Sequence, residues 1–160
     1  MPRIAITGHM NLTAASVPLI YREIVDLLRQ YEGNDLVGIS CIARGADSIF
    51  AQAILDLGGR LEVILPASDY RETKVKPDHT EHFDDLLRRA TAVRVMPFAK
   101  ASREAYEAAN NSVLSSCDRL FAVWDGRSAV DQGGTGAVVE EARLRGIGVD
   151  IIWPDGAARD

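Results

Sequence analysis

Apolar residues in this chain fall into two alternating patterns. Short, nearly continuous runs, namely RIAITG (3–8), DLVGISCIA (35–43), RLEVILPA (60–67), AVRVMPF, DRLFAVWDG and GVDIIWP, read as six strands. Between them, apolar residues recur every three or four positions. Ile20, Ile24, Leu27, Leu28 and Tyr31 trace a helical stripe ahead of Gly33, with Ser16 at the N-cap and Pro18 in the first turn. GADSIFAQAILDLGG predicts a helix closed by a glycine pair. Phe83, Leu86, Leu87 and Ala90 predict a short amphipathic helix, residues 103–117 another, and the segment after the glycine-rich run a last one through Arg145. Residues 68–78, polar and of mixed charge, read as a long mobile loop.

Strands apolar throughout are buried on both faces. The alternation therefore predicts an α/β, Rossmann-like, doubly wound and mostly parallel sheet, one domain over residues 1–160. Right-handed crossovers bring the loop after each strand to one edge, where ligands of such sheets sit, near the reversal of strand order.

Composition narrows the class. In 160 residues, 47% are hydrophobic and 26% charged, with a net charge of −5. That acidic balance argues against a broad nucleic-acid surface while leaving room for a local basic pocket. Cys41 and Cys117 have no metal-ligand spacing and read as small, reduced core residues. No apolar run reaches the ~20 residues of a membrane span. The sequence enters its first strand without a charged and then apolar leader, so a cytoplasmic location is expected.

Three glycine-bearing loops are expected to converge at the carboxyl edge. In Thr7-Gly8-His9, Gly8 lets backbone pass close to a ligand, and Thr7 or His9 supplies a hydrogen bond. In Ala43-Arg44-Gly45-Ala46-Asp47, a helix N-terminus and the Arg44 guanidinium suit an anion, with Asp47 alternatively a dipole partner. In DQGGTGAVVEEA, Gly133, Gly134 and Gly136 aim amides into a cradle and Thr135 adds a hydroxyl. The chain has no GxxxxGK[ST] sequence, so a Walker-type nucleotide triphosphatase is not supported. Of Asn110-Asn111, Asn111 is a candidate for ribose or base. Asp125 is a candidate for ribose hydroxyls beside Trp124, which stacks a base or fills the core. His79 and His82 amid carboxylates read as a solvated acidic helix face, and no metal site or cofactor is expected. Lys74, Lys76 and Arg71 are candidates for a lid over phosphate.

GISCIARGAD resembles the SGxARGxD signature of the DNA-processing protein A group. GGTGAVVE is similar to the PGGxGTxxE signature of the lysine decarboxylase-like phosphoribohydrolases. Both groups belong to the SLOG superfamily of Rossmann-like proteins, and NNSVLSSCDRLFAVWDG resembles a segment of its small bacterial members. The resemblance implies binding of a nucleotide or nucleotide-derived ligand, and a homodimer. It puts the hydrolases' glutamate at Glu140, but Gln132 replaces their proline and Ala137 their threonine. Their catalytic arginine would fall near Ala109 and Asn110, whereas Arg103 lies ~9 Å earlier along the helix. Glu141, about 100° around the helix from Glu140, offers no second carboxylate at the same point. The expected function is thus a sensor or carrier for a small nucleotide-derived ligand. The alternatives are a phosphoribohydrolase using Glu140 and a single-stranded DNA-binding module, nucleic acid being disfavoured by charge.

Overall fold

A computed structural model describes residues 2–31, 35–127 and 134–160. Six strands form one parallel sheet: β1 (Arg3–Gly8), β2 (Val37–Ser40), β3 (Arg60–Leu65), β4 (Ala92–Val95), β5 (Arg119–Val123) and β6 (Gly148–Ile152), in the order β4-β3-β2-β1-β5-β6. The chain runs outward from β1 through β2 to β4, then crosses back to place β5 on the other side of β1. Strand order therefore reverses between β1 and β5, as the alternating pattern predicts.

Alternation along the strands builds two layers of core. Ile4 and Ile6 of β1 join Phe121 and Val123 of β5 beneath α1 (Ser16–Leu28) and α2 (Ala46–Asp56). Ala5 of β1 and Leu120 of β5 face the opposite way, against Val113 and Leu114 of α5 (Arg103–Ser116) and Val138 and Ala142 of α6 (Thr135–Leu144). A third cluster fills the space between β3 and α4 (Pro77–Arg89), where Phe83 and Leu86 are fully buried. β4 and β6 are the two edges of the sheet; β4 exposes Val93 and Val95, and β6 exposes Ile151.

Two local expectations change. Residues 68–78 are not a continuous loop: they hold a short helix, α3 (Tyr70–Lys74), and the start of α4. Tyr70 is the reason, since its ring is buried against Phe83 and anchors the segment to the third cluster. Ser16 is the first helical residue rather than the cap, which is Ala15. Its hydroxyl accepts from the Ala158 amide at 2.8 Å and donates to the Ala158 carbonyl at 3.1 Å, holding the C-terminal segment against the β1–α1 loop.

Candidate functional site

The strand-end loops on the α5–α6 side of the β1–β5 reversal enclose a cavity of about 530 Å³. Thr7 and Gly8 line it from β1, Cys41, Ala43 and Asp47 from the β2–α2 turn, and Pro66 from the end of β3. Tyr70 and Lys74 of α3, Tyr106 and Asn110 of α5, and Thr135 and Val138 of α6 complete the wall. The volume lies within the range of small-molecule sites, as does the mixture of apolar surface with a few polar groups. A smaller recess of about 300 Å³ shares Met10, Tyr70 and Lys74 with it and adds Arg44, Lys76 and His79.

The β2–α2 turn is built under strain. Ile42, a fully buried β-branched residue, has φ +46°, a region such side chains rarely occupy. Its amide donates to Ser40 Oγ at 2.9 Å. Ser48 Oγ donates to the Ala43 carbonyl at 2.7 Å, and His79 Nε2 braces both, 3.1 Å from Ser48 Oγ and 3.3 Å from the Ile42 carbonyl. The turn thus presents Cys41, Ala43 and Asp47 to the cavity from a fixed backbone. His79 is buried and His82 bonds Gln52 Oε1 at 3.0 Å, so this pair is part of a packed interface and not the solvated face its sequence context suggests. Sequence reasoning missed His79 as a brace because its partners lie about 30 to 40 positions away.

Asp47 is the most unusual group on the cavity wall. Its carboxylate receives one long hydrogen bond, from the Ala43 amide at 3.4 Å. Burial pushes its pKa up to about 7. Burial also raises the Tyr70 hydroxyl and the Cys41 thiol, keeping that thiol protonated and unreactive. Tyr70 and Tyr106 meet edge to face with centroids 6.3 Å apart.

Gly8, which lines the cavity, and Gly45 are also required by the packing of the chain on itself. A Cβ on Gly8 would collide with Ala46 Cβ and lie 2.8 Å from Val123 Cβ. One on Gly45 would lie 2.5 Å from the His9 carbonyl, and Gly45 also has φ +85°. Both close approaches are to the protein's own chain, which brings α2 tight against the end of β1. The Ala46 amide is likewise occupied, donating to the His9 carbonyl at 3.1 Å. Gly134 caps α6 with φ −75°, followed by Thr135 and Gly136, whose amides fall in the first helical turn and have no intrahelical acceptor. Gly133 lies outside the described residues.

Several predicted residues do not reach the cavity. Arg44 lies in the smaller recess, half exposed and 3.4 Å from Asp78. Asn111 is exposed and accepts from Arg145 Nη2 at 2.8 Å, while its neighbour Asn110 takes the cavity position. Glu140 is exposed on α6 and is not among the lining residues. Arg103 does line the cavity, paired with Glu107 one turn on at 3.4 Å. Its distance along the sequence from the hydrolase arginine position is thus compatible with a place on the wall.

His9 and Asp125 belong to the opposite side of the reversal. His9 is buried, edge to face with Trp153 at 5.8 Å, and its Nε2 accepts from the Asp125 amide at 3.1 Å. An accepting Nε2 requires the neutral ring, and burial together with Arg159 lowers the His9 pKa. Burial pushes the Asp125 carboxyl up, but the Arg127 amide, His9 and Arg159 outweigh it and hold the pKa below the ordinary value. Trp124 Nε1 donates to the Arg127 carbonyl at 2.8 Å.

No family model matches the chain, and no curated protein matches it. Solved structures do. DNA processing protein A from Streptococcus pneumoniae aligns with a TM-score of 0.70 at 17% identity, over 98% of this chain and 52% of its own, so the chain spans about half its length. DNA processing protein A from Helicobacter pylori, whose structure is described for its single-stranded DNA binding mode, aligns at 0.68 and 14% identity, covering 99% of this chain and 68% of that one. The molybdenum cofactor carrier protein of Chlamydomonas reinhardtii aligns at 0.57 and 18% identity, covering 94% and 75%. At these identities the likeness shows the fold alone, a Rossmann-like parallel sheet of the kind its motifs predict.

Proposed function

We propose that this chain, whose motifs resemble those of the SLOG superfamily, binds a small nucleotide or nucleotide-derived molecule in the 530 Å³ cavity, as a sensor or carrier. The observation that carries the reading is the cavity itself, beside the reversal of strand order, with Lys74 and Arg103 on its wall and the N-terminus of α6 at Thr135. A phosphate there would meet two cationic side chains, the Thr135 hydroxyl and the free amides of the first turn. Arg44 and Lys76 in the adjoining recess would serve a longer phosphate chain.

The hydrolase reading loses support because the exposed Glu140 lies off the cavity wall. Single-stranded DNA binding, the property named for the Helicobacter pylori protein, is disfavoured by the net charge of −5. The homodimer belongs to the proposal as well. The open β4 edge, with Val93 and Val95 exposed, is the surface a second copy would cover, and sedimentation reads it directly.

Titration calorimetry with nucleoside monophosphates, followed by chromatography of the mixture, tests the reading. We expect binding with the ligand recovered intact, and at least a tenfold loss in Lys74→Ala. Release of free base would instead establish hydrolysis, and binding only of oligonucleotides with a steep salt dependence would replace the small-molecule reading.

A further inference from the structure

We infer that the cavity selects a flat bicyclic ring carrying a ring N–H beside an exocyclic amino group, the edge shared by guanine and pterin, and that the Asp47 carboxylate reads that edge. This rests on the small-molecule reading of the cavity given above.

The inference starts from what the cavity offers a ring. Tyr106, with 39% of its surface exposed, stands edge to face on Tyr70, and Met10, Val113 and Val138 extend the apolar wall. Such a surface favours a flat heterocycle over a sugar. The polar groups then decide which heterocycle. Asp47 lies on the wall with a single 3.4 Å hydrogen bond, from the Ala43 amide, leaving most of its acceptor capacity unspent. Burial pushes its pKa up to about 7, so at pH 8 it is an ionised carboxylate poorly supplied with donors. Two parallel donors spaced like the two carboxylate oxygens satisfy it best. Guanine N1–H with its 2-amino group has that spacing, and so does the corresponding edge of a pterin. Adenine presents a lone pair at N1, which faces a carboxylate unfavourably.

The backbone is arranged to hold that carboxyl in place. Asp47 is the second residue of α2, its carbonyl accepts from Ser40 Oγ at 3.0 Å, and the preceding turn carries the strained Ile42 braced by His79. The cations lie elsewhere: Lys74 on the shared wall, Arg44 and Lys76 in the smaller recess. A phosphorylated ligand of this class therefore has a place for each end.

The test is calorimetry on the full chain at pH 8 with GMP, IMP, AMP and neopterin phosphate, repeated with Asp47→Asn. We expect GMP to bind at least ~10-fold more tightly than AMP, with IMP, lacking the amino group, between them. Asp47→Asn should lower GMP affinity at least ~10-fold and leave AMP affinity equal or higher, since the amide no longer opposes adenine N1. Whichever of GMP and neopterin phosphate binds more tightly identifies the source of the ring. Equal affinity for GMP and AMP in the unaltered protein, or a guanine preference that survives Asp47→Asn, overturns the inference and leaves nucleotide binding standing. Binding of none of the four overturns both. If the variant does not fold, equal affinity for GMP and AMP in the unaltered protein still overturns the inference, and Asp47→Ser replaces Asp47→Asn in testing the carboxylate.

Discussion

The two sides of the β1–β5 reversal receive residues from the same loops and use them in opposite ways. On the α5–α6 side, Thr7, Asp47 and Thr135 stand around an open cavity, and Asp47 holds only one long hydrogen bond. On the far side, Asn11, Asp125 and Arg159 line a recess of about 550 Å³. There, however, they are bonded to one another and, through Asp125, to His9, in a closed hydrogen-bond network. Asp125 Oδ1 accepts from the Arg127 amide at 3.0 Å, Arg159 Nε donates to Asn11 Oδ1 at 2.9 Å, and Asn11 Nδ2 donates to the Asp160 carbonyl at 3.0 Å. Polar groups at the carboxyl edge of a parallel sheet are thus not equally available. Those already satisfied by their own chain hold the fold, and those left short of partners are the ones a ligand can reward.

The strongest way to break this comparison is to attack the joint between the sides. Gly45 sits where α2 presses on the β1–α1 loop, at φ +85° and with the His9 carbonyl 2.5 Å from any added Cβ. Gly45→Ala should cost about 3 kcal/mol, combining left-handed backbone strain with a collision against backbone that cannot move independently. Gly134→Ala, at φ −75° on the cavity side, should cost under about 1 kcal/mol, the ordinary difference at a helix cap. Urea unfolding of the two variants reads the contrast. Equal and small losses would mean that the joint is soft and that the two sides are not held apart by packing.

The contrast between these glycines shows where sequence reasoning stopped. The strands, their order of appearance and the edge that gathers their loops follow from apolar runs alternating with helical stripes, because that pattern is set by burial alone. A glycine, by contrast, reports only that a Cβ is unwelcome, not whether ligand or protein excludes it. Gly8 and Gly45 are excluded by Ala46, Val123 and the His9 carbonyl, contacts fixed by how closely α2 docks. The choice between Asn110 and Asn111 turns on a helix rotation of about 100°, too fine for periodicity in a helix with few apolar residues. The brace from His79 and the strain at Ile42 involve no local pattern at all.

A pH titration of stability sharpens the comparison further, because the two sides should respond with opposite sign. The Asp47 pKa is raised by folding from 3.8 to about 7, so the folded protein holds the extra proton in that interval and loses stability as pH rises through it. The His9 pKa is lowered from 6.5, so the unfolded chain holds the extra proton and stability falls as pH drops below about 6.5. Asp47→Asn should therefore stabilise the protein at pH 8 by on the order of 2 kcal/mol, since no charge then has to be desolvated. His9→Gln should flatten part of the acid limb, the rest persisting through His82, whose pKa burial and His79 also lower. Thermal unfolding from pH 5 to pH 8.5 measures both limbs. A loss of stability in Asp47→Asn at pH 8 would show that the carboxylate is satisfied in the fold and belongs with the closed side.

The smallest effect is expected at Glu140, and it is informative because the resemblance to the phosphoribohydrolases places their glutamate there. Glu140 is exposed, whereas the buried residues of α6 are Val138, Val139 and Ala142. Only a side chain near the reacting sugar can stabilise its developing charge, and a carboxylate in water is screened from it. Glu140→Gln should therefore change stability by less than about 0.5 kcal/mol and leave nucleotide affinity unaltered. Glu141, on the same helix, already pairs with Arg145 at 3.0 Å, so the outer face of α6 keeps an ion pair after the substitution. Calorimetry and chromatography of a GMP incubation, run on both proteins, check the two halves of this expectation. If the unaltered protein released base and Glu140→Gln did not, the exposed face of α6 would be a reacting surface. The division between an open cavity and a closed network would then describe binding but not chemistry, and the missing half of the machinery would have to come from a second chain laid against α6.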